Sequence, residues 1–364
     1  MGVFPKGVDV ENRNGLNDKS EMERVAIWQE QETYYKGGAV MHSFFSRSFI
    51  VVCITILIAL LGAGASEAQD IKGTIKIIVP YPAGGGTDVA VRLVTDKLKD
   101  ILGQTVIVEN KAGAGGRVGT EYAKGQPADG SAMLVINPAL FVVNPVVYAK
   151  LPYDPDKDFA PVSQITTYQF CLSVPAKSTI KDLKGLIEWL KKNPNQANYG
   201  SPAAGSLPHF FGLLIGKHAG VEMVHVSYNG SAPLVTALIG GQVPMGVDSY
   251  EAQAPHHPDK IRILATAGSS RKLPDVPTFK ELGYKEIEGV GWNGIVVPAK
   301  TPKPVIEKLS QAIAKAVKSP DVKQKIEGMG VEAAGTTPAE FAERIRKDRE
   351  KWGPVIKASG FKVE

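Results

Sequence analysis

Two hydrophobic rhythms alternate along the chain from residue 75 onward. Short apolar runs ended by Gly, Pro, Asn or Asp take turns with longer stretches whose apolar residues recur every three or four positions. Ile75–Pro80 is the first such run and predicts a buried strand. Val91, Val94, Leu98 and Ile101 then share one face of a helix over Asp88–Leu102. Thr105–Val108 predicts a second strand, Asn110–Gly116 a loop into a short helix through Tyr122, and Ala132–Ile136 a third strand. Strands taking turns with helices predict a parallel or mostly parallel α/β sheet.

The second half repeats this scheme around two long extended segments. Phe159–Val174 predicts a crossing out of the first sheet, and Gly291–Val297 a crossing back. Between them lie helices over Thr179–Asn193, Ser206–Ala219 and Ser231–Ile239. Strands are predicted to end at Asn198–Ser201 and to cover Met223–Tyr228, Val243–Asp248 and Ile261–Ala267. Helices over Lys303–Val317, Asp321–Gly328 and Pro338–Ser359 finish the chain. The crossings predict a discontinuous first domain, 69–171 plus 292–364, and a continuous second one, 172–291. Ligands of open α/β sheets sit at the carboxyl ends of strands. Two such domains facing one another enclose a cleft that can close by hinge motion.

The start of the chain follows another pattern. Residues 41–48 carry Arg47, an apolar run covers Phe49–Leu61, and small residues lead to Ala68. That order reads as a secretory signal peptide over 41–68 with cleavage near Ala68. The apolar run is shorter than the roughly 20 residues a membrane-spanning helix needs. Residues 1–40 are polar, lack periodicity and precede the signal, so translation is expected to begin at Met41; the alternative is a disordered extension with an uncleaved anchor.

Without residues 1–68 there remain 36 Lys/Arg against 29 Asp/Glu, a formal charge of +7 with no basic block. A nucleic-acid footprint is clustered, so this excess is read as solubility and mild attraction for anions. Cys171 is then the only cysteine, which excludes an intramolecular disulfide or a cysteine-rich metal site.

The candidate chemistry lies at three helix starts. Tyr81–Asp88 contains Gly84-Gly85-Gly86, Ser201–Ser206 places Ser206 as an N-cap, and Tyr228–Pro233 places Ser231 as another. Each follows a strand and none contains Lys or Arg. A helix that opens on such a loop presents unpaired backbone N–H groups and the positive end of its dipole, which suits a carboxylate or a phosphate. The candidate ligand contacts are Tyr81, Ala83, Gly84, Gly85, Gly86, Thr87, Asp88, Asn137, Ser201, Ala203, Gly205, Ser206, His209, Tyr228, Gly230, Ser231 and Asp248.

Several stretches also resemble a known family. Pro80–Asp88, Val108–Gly116, Lys150–Pro155, Asn198–Ser201, His225–Pro233, Gly240–Val243 and Leu273–Thr278 are similar, in order, to the tripartite tricarboxylate transporter substrate-binding (Bug) family. The resemblance covers residues 72–361. Ala112 stands where members often have Pro, and Pro244 where Asp is common. It implies a periplasmic two-domain binding protein of the type II, Venus-flytrap kind. Such a protein grips a small organic acid through main-chain amides and bridging waters, and hands it transiently to membrane permease subunits. A monomer without cofactor is expected.

Individual candidates keep two readings each. Asp88 either accepts from a ligand amino group or caps its own helix, with the cap favoured. Asp248 supplies cleft polarity or a turn. Tyr81 and Tyr228 flank a ligand or pack. His209 faces the cleft or sits on a helix surface. His218, His225, His256 and His257 form no metal spacing, no Gly-x-Ser-x-Gly elbow or P-loop is present, and Gly113-Ala114-Gly115 is followed by Val118 where a Gly-x-Gly-x-x-Gly motif needs its last glycine. A receptor without chemistry of its own is therefore expected. The rival readings are an exported enzyme acting on a phosphorylated or carboxylated small molecule, and a ligand-binding sensor partner.

Overall fold

The computed structural model describes residues 73–363 together with Glu23 and Ile71. The predicted extension over 1–40 and signal peptide over 41–68 lie outside the described residues.

Strand β1 (Ile75–Val79) leads through the glycine loop into helix α1 (Gly86–Leu102), then β2 (Val106–Asn110), α2 (Arg117–Lys124) and β3 (Ala132–Ile136). β1 pairs in parallel with both β2 and β3, as strand–helix alternation demands. A π-helical turn at Ala139–Val143 and a short helix α3 (Asn144–Val147) follow; the sequence reading had no element here.

The long strand β4 (Phe159–Pro175) organises the rest. Up to Gln169 it pairs antiparallel with β9 (Val290–Pro298). From Phe170 it pairs antiparallel with β7 (Gly246–Ser249), and from Cys171 with β8 (Ile261–Thr266). One strand thus joins two sheets, and it changes partners at residue 170. Between β4 and β9 come α4 (Leu183–Lys192), β5 (Asn198–Ser201), α5 (Leu207–Ala219), β6 (Val224–Ser227), α6 (Ser231–Gly240) and, after β7, α7 (Tyr250–Gln253). β5 pairs in parallel with β6 and β7. The chain closes with α8 (Lys303–Lys318), α9 (Pro320–Gly328), β10 (Glu332–Ala333), which pairs with β4, and α10 (Pro338–Ala358).

The α/β architecture expected from the alternation is present, with one refinement. Each parallel trio is extended by antiparallel crossing strands, so both sheets are mixed. β1 and β3 are buried along nearly their whole length, whereas the outer strands β2 and β6 are partly exposed. Ile75, Ile77 and Val79 pack with Val91, Val94 and Leu98 of α1, and with Leu309 and Ile313 of α8. Ile78, pointing the other way, joins Leu134, Ile136 and Phe141.

Three helix starts differ locally from the sequence expectation. Gly230, at φ 104°, is the N-cap of α6 in place of Ser231, because that backbone conformation is open to glycine and closed to serine. Ser206 does occupy the N-cap of α5, but its hydroxyl donates to the Ala203 carbonyl at 2.7 Å and caps no N–H. α4 begins at Leu183, later than predicted, because Asp182 accepts from the Gly185 N–H at 2.7 Å and so fixes the start.

Candidate functional site

A cavity of about 290 Å³ gathers residues from all three helix starts. Gly86 and Thr87 come from α1, Ser206, Leu207 and Pro208 from the opening of α5, and Ser231 from α6. Asn137 and Asp248, at the carboxyl ends of β3 and β7, complete the predicted set found there. Among the described residues, no lysine or arginine lines the cavity.

The other candidate residues lie outside this lining. Tyr81 accepts from Asn137 Nδ2 at 2.7 Å and so orients that amide; burial raises its phenol pKa. Ala83, Gly84 and Gly85 are exposed and outside the cavity lining. Asp88 is 2% exposed and fully engaged, accepting from Gly84 N–H (2.9 Å), Arg92 Nε (2.8 Å) and Asn110 Nδ2 (2.9 Å). Burial pushes its carboxyl pKa up, but these donors outweigh that and hold it below the usual range. Asp88 thus locks the glycine loop against α1.

Ser201, Ala203, Gly205 and His209 form a second support. Ser201 Oγ lies 2.7 Å from His225 Nε2 and 3.0 Å from the Ala203 carbonyl. His209 stacks on His225 with centroids 3.9 Å apart, and its Nδ1 accepts the Gly205 N–H at 3.2 Å. His209 is 5% exposed, so it is neither a surface nor a cavity residue. Burial brings both imidazole pKa values down to about 4, keeping the rings neutral. The serine has one proton. Donated to Ala203, it leaves Ser201 accepting from His225, which is the wrong direction for an activated nucleophile. Gly230 donates to the Pro202 carbonyl at 2.8 Å, tying the second and third loops together. Tyr228 lies on another groove, next to Val226 and Val243.

Further residues lining the cavity escaped the sequence reading. Thr166, Tyr168 and Phe170 come from one face of β4, and Asn293 from β9. Their two-residue spacing marks a shared face, but not which side that face looks to. Asn293 accepts from Thr87 Oγ1 and donates to Thr166 Oγ1, both at 3.0 Å, so the start of α1 is pinned to both crossing strands. Glu251, Met329 and Val331 also line the space.

Two carboxyl groups face this cation-free space. Asp248 is 1% exposed, and its Oδ1 accepts from Ser249 N–H (2.7 Å) and Ser231 Oγ (3.0 Å). Burial, opposed by those two bonds, pushes its pKa up to about 7. Burial and the Asp248 charge act likewise on Glu251, against local hydrogen bonds and Lys272, giving about 7.

Residues 90–361 match the family described as the tripartite tricarboxylate transporter family receptor. BugT of Bordetella pertussis is 31% identical over 321 residues, covering 86% of this chain and 98% of its own. Among solved structures, an R. palustris protein with adipate is 29% identical at a TM-score of 0.72, covering 80% of this chain and 98% of its own. MatC from Rhodopseudomonas palustris, with bound malate, is 28% identical at a TM-score of 0.69, covering 78% and 98%.

Proposed function

Because the chain belongs to the tripartite tricarboxylate transporter receptor family, we propose that it captures a small carboxylate in the 290 Å³ cavity and delivers it to membrane permease subunits. The lobes that grip the ligand are 69–171 with 292–364, and 172–291. The protein reaches the periplasm through a leader removed near Ala68, acts as a monomer, and has no chemistry of its own.

The observation that carries this reading is the convergence of three helix starts on one space that, among the described residues, no lysine or arginine lines. Each terminus contributes roughly 0.3–1 kcal/mol, at most about 2, toward an anion. A micromolar ligand needs about 8 kcal/mol. Hydrogen bonds from first-turn N–H groups, together with water expelled on closure, supply the remainder. The adipate and malate held by the two related structures are small carboxylates of the kind proposed here.

Thermal-shift measurements on residues 69–364 test the proposal. Small mono- and dicarboxylates are expected to raise the melting temperature, and uncharged amides of equal size to leave it unchanged. No stabilisation by any organic acid, with turnover of a phosphate ester, favours the enzyme reading instead.

A further inference from the structure

Taking the cavity as a carboxylate site, we infer that its Asp248–Glu251 wall is a second subsite, for an ammonium group, and that the ligand is an amino-bearing carboxylic acid. Both residues line the cavity, and each keeps one carboxyl oxygen, Asp248 Oδ2 and Glu251 Oε2, buried without a hydrogen-bond partner. An unpaired buried carboxylate is costly, and the usual remedy is a cation from the protein. Among the described residues, no lysine or arginine lines the cavity. Lys272, whose field reaches Glu251, is itself held by Glu332 at 2.6 Å.

The helix starts are also unequal. At α6, Ser231 donates its hydroxyl to Asp248, so a negative group already sits beside that positive end. At α5 the opening residues Ser206–Pro208 have no acid among their hydrogen-bond partners, and at α1 the one acid, Asp88, is consumed outside the lining by three donors. The ligand carboxylate therefore belongs at α1 and α5, and its positive end beside α6. Tyr168 and Phe170 add aromatic surface to the same space, which suits an ammonium better than a second carboxylate.

Calorimetric titration of the leader-free protein at pH 7.5 tests this with matched pairs: succinate against aspartate, adipate against 2-aminoadipate, butyrate against 4-aminobutyrate. In at least one pair the amino-bearing acid is expected to bind about tenfold tighter or better. Asp248→Asn and Glu251→Gln should each shrink that advantage to about threefold or less. Unsubstituted acids binding as tightly as their amino partners in every wild-type pair overturn the inference and leave the carboxylate reading standing. No binding by any member overturns both. The wild-type comparison decides the matter even if Asp248→Asn fails to fold.

Discussion

Replacing Asp248 by Asn isolates the energetic cost of its buried charge. The folded pKa is about 7 against an ordinary 3.8, so the folded protein binds more protons than the unfolded chain between these values. Stability from this group is therefore fully present near pH 4, declines as pH rises toward 7, and is flat above. At about 1.4 kcal/mol per unit, the loss is roughly 4 kcal/mol, an upper bound because Glu251 shares the titration. His209 and His225 work in the opposite sense. Their folded pKa of about 4 lies below the ordinary 6.5, so their contribution grows as pH rises from about 4 to 6.5. Wild-type stability alone is therefore nearly silent in that window. The difference between variant and wild type is not, because the histidines cancel in it. Asparagine keeps an oxygen for Ser249 and Ser231 and cannot ionise. Urea denaturation of the ligand-free proteins at pH 4.5, 6 and 7.5 should show Asp248→Asn gaining on wild type at each step, by a few kcal/mol in all. A difference that stays constant across pH refutes the account of a costly buried charge.

Three other substitutions separate binding from folding. A Cβ at Gly86 would meet no atom within 4 Å, yet the residue lines the cavity. Gly86→Val should weaken carboxylate binding by about tenfold or more while moving the melting temperature by only a few degrees, measured by titration and thermal melts. A Cβ at Gly294 would lie 2.0 Å from Phe341 Cζ, and that ring is braced by Trp292 at 5.1 Å. Gly294→Ala should cost about 1–3 kcal/mol or more in urea denaturation, because the ring has no room to swing away. Trp292 Nε1 donates to buried Asp348 at 2.7 Å, a bond Phe cannot make. Trp292→Phe should cost about 1–3 kcal/mol, with little change in ligand affinity.

The alternation of short apolar runs with three-to-four periodicity was sufficient for β1–α1 and for β3, because burial on both faces leaves an unambiguous hydrophobic run. The glycine and serine turns before α1, α5 and α6 were legible for a different reason: few residues fit the backbone where a strand turns into a helix. The wall between them was not. Thr166, Tyr168, Phe170 and Asn293 lie on crossing strands, and which face of a crossing looks inward depends on twist and pairing that local sequence does not encode. His209 is another matter. Its helix is apolar on nearly every side, with Phe210, Phe211, Leu214 and Ile215 all buried, and a helix with that composition is an interior one. Reading its periodicity alone would have placed the histidine in the core.

The same geometry explains how a carboxylate receptor can work without a cation at its site. A lysine in a 290 Å³ cavity would hold any anion by charge, and with the ligand absent it would meet the buried acids Asp248 and Glu251 instead. Peptide dipoles avoid this. They are fixed in direction by the Asp88 lock on one side and the Ser201–His225–His209 stack on the other, and neither support enters the cavity. Their hold depends on whether the openings of α1 and α5 present their N–H groups to one ligand at once. Breaking one support should therefore loosen binding without touching the pocket wall. His225→Ala removes the partner of Ser201 and the stacking face of His209 while leaving every lining residue in place. Affinity for the preferred acid should fall by about tenfold or more, while the order of preference among acids of different length stays the same. A changed order with unchanged affinity would mean that the stack shapes the cavity and does not aim its donors.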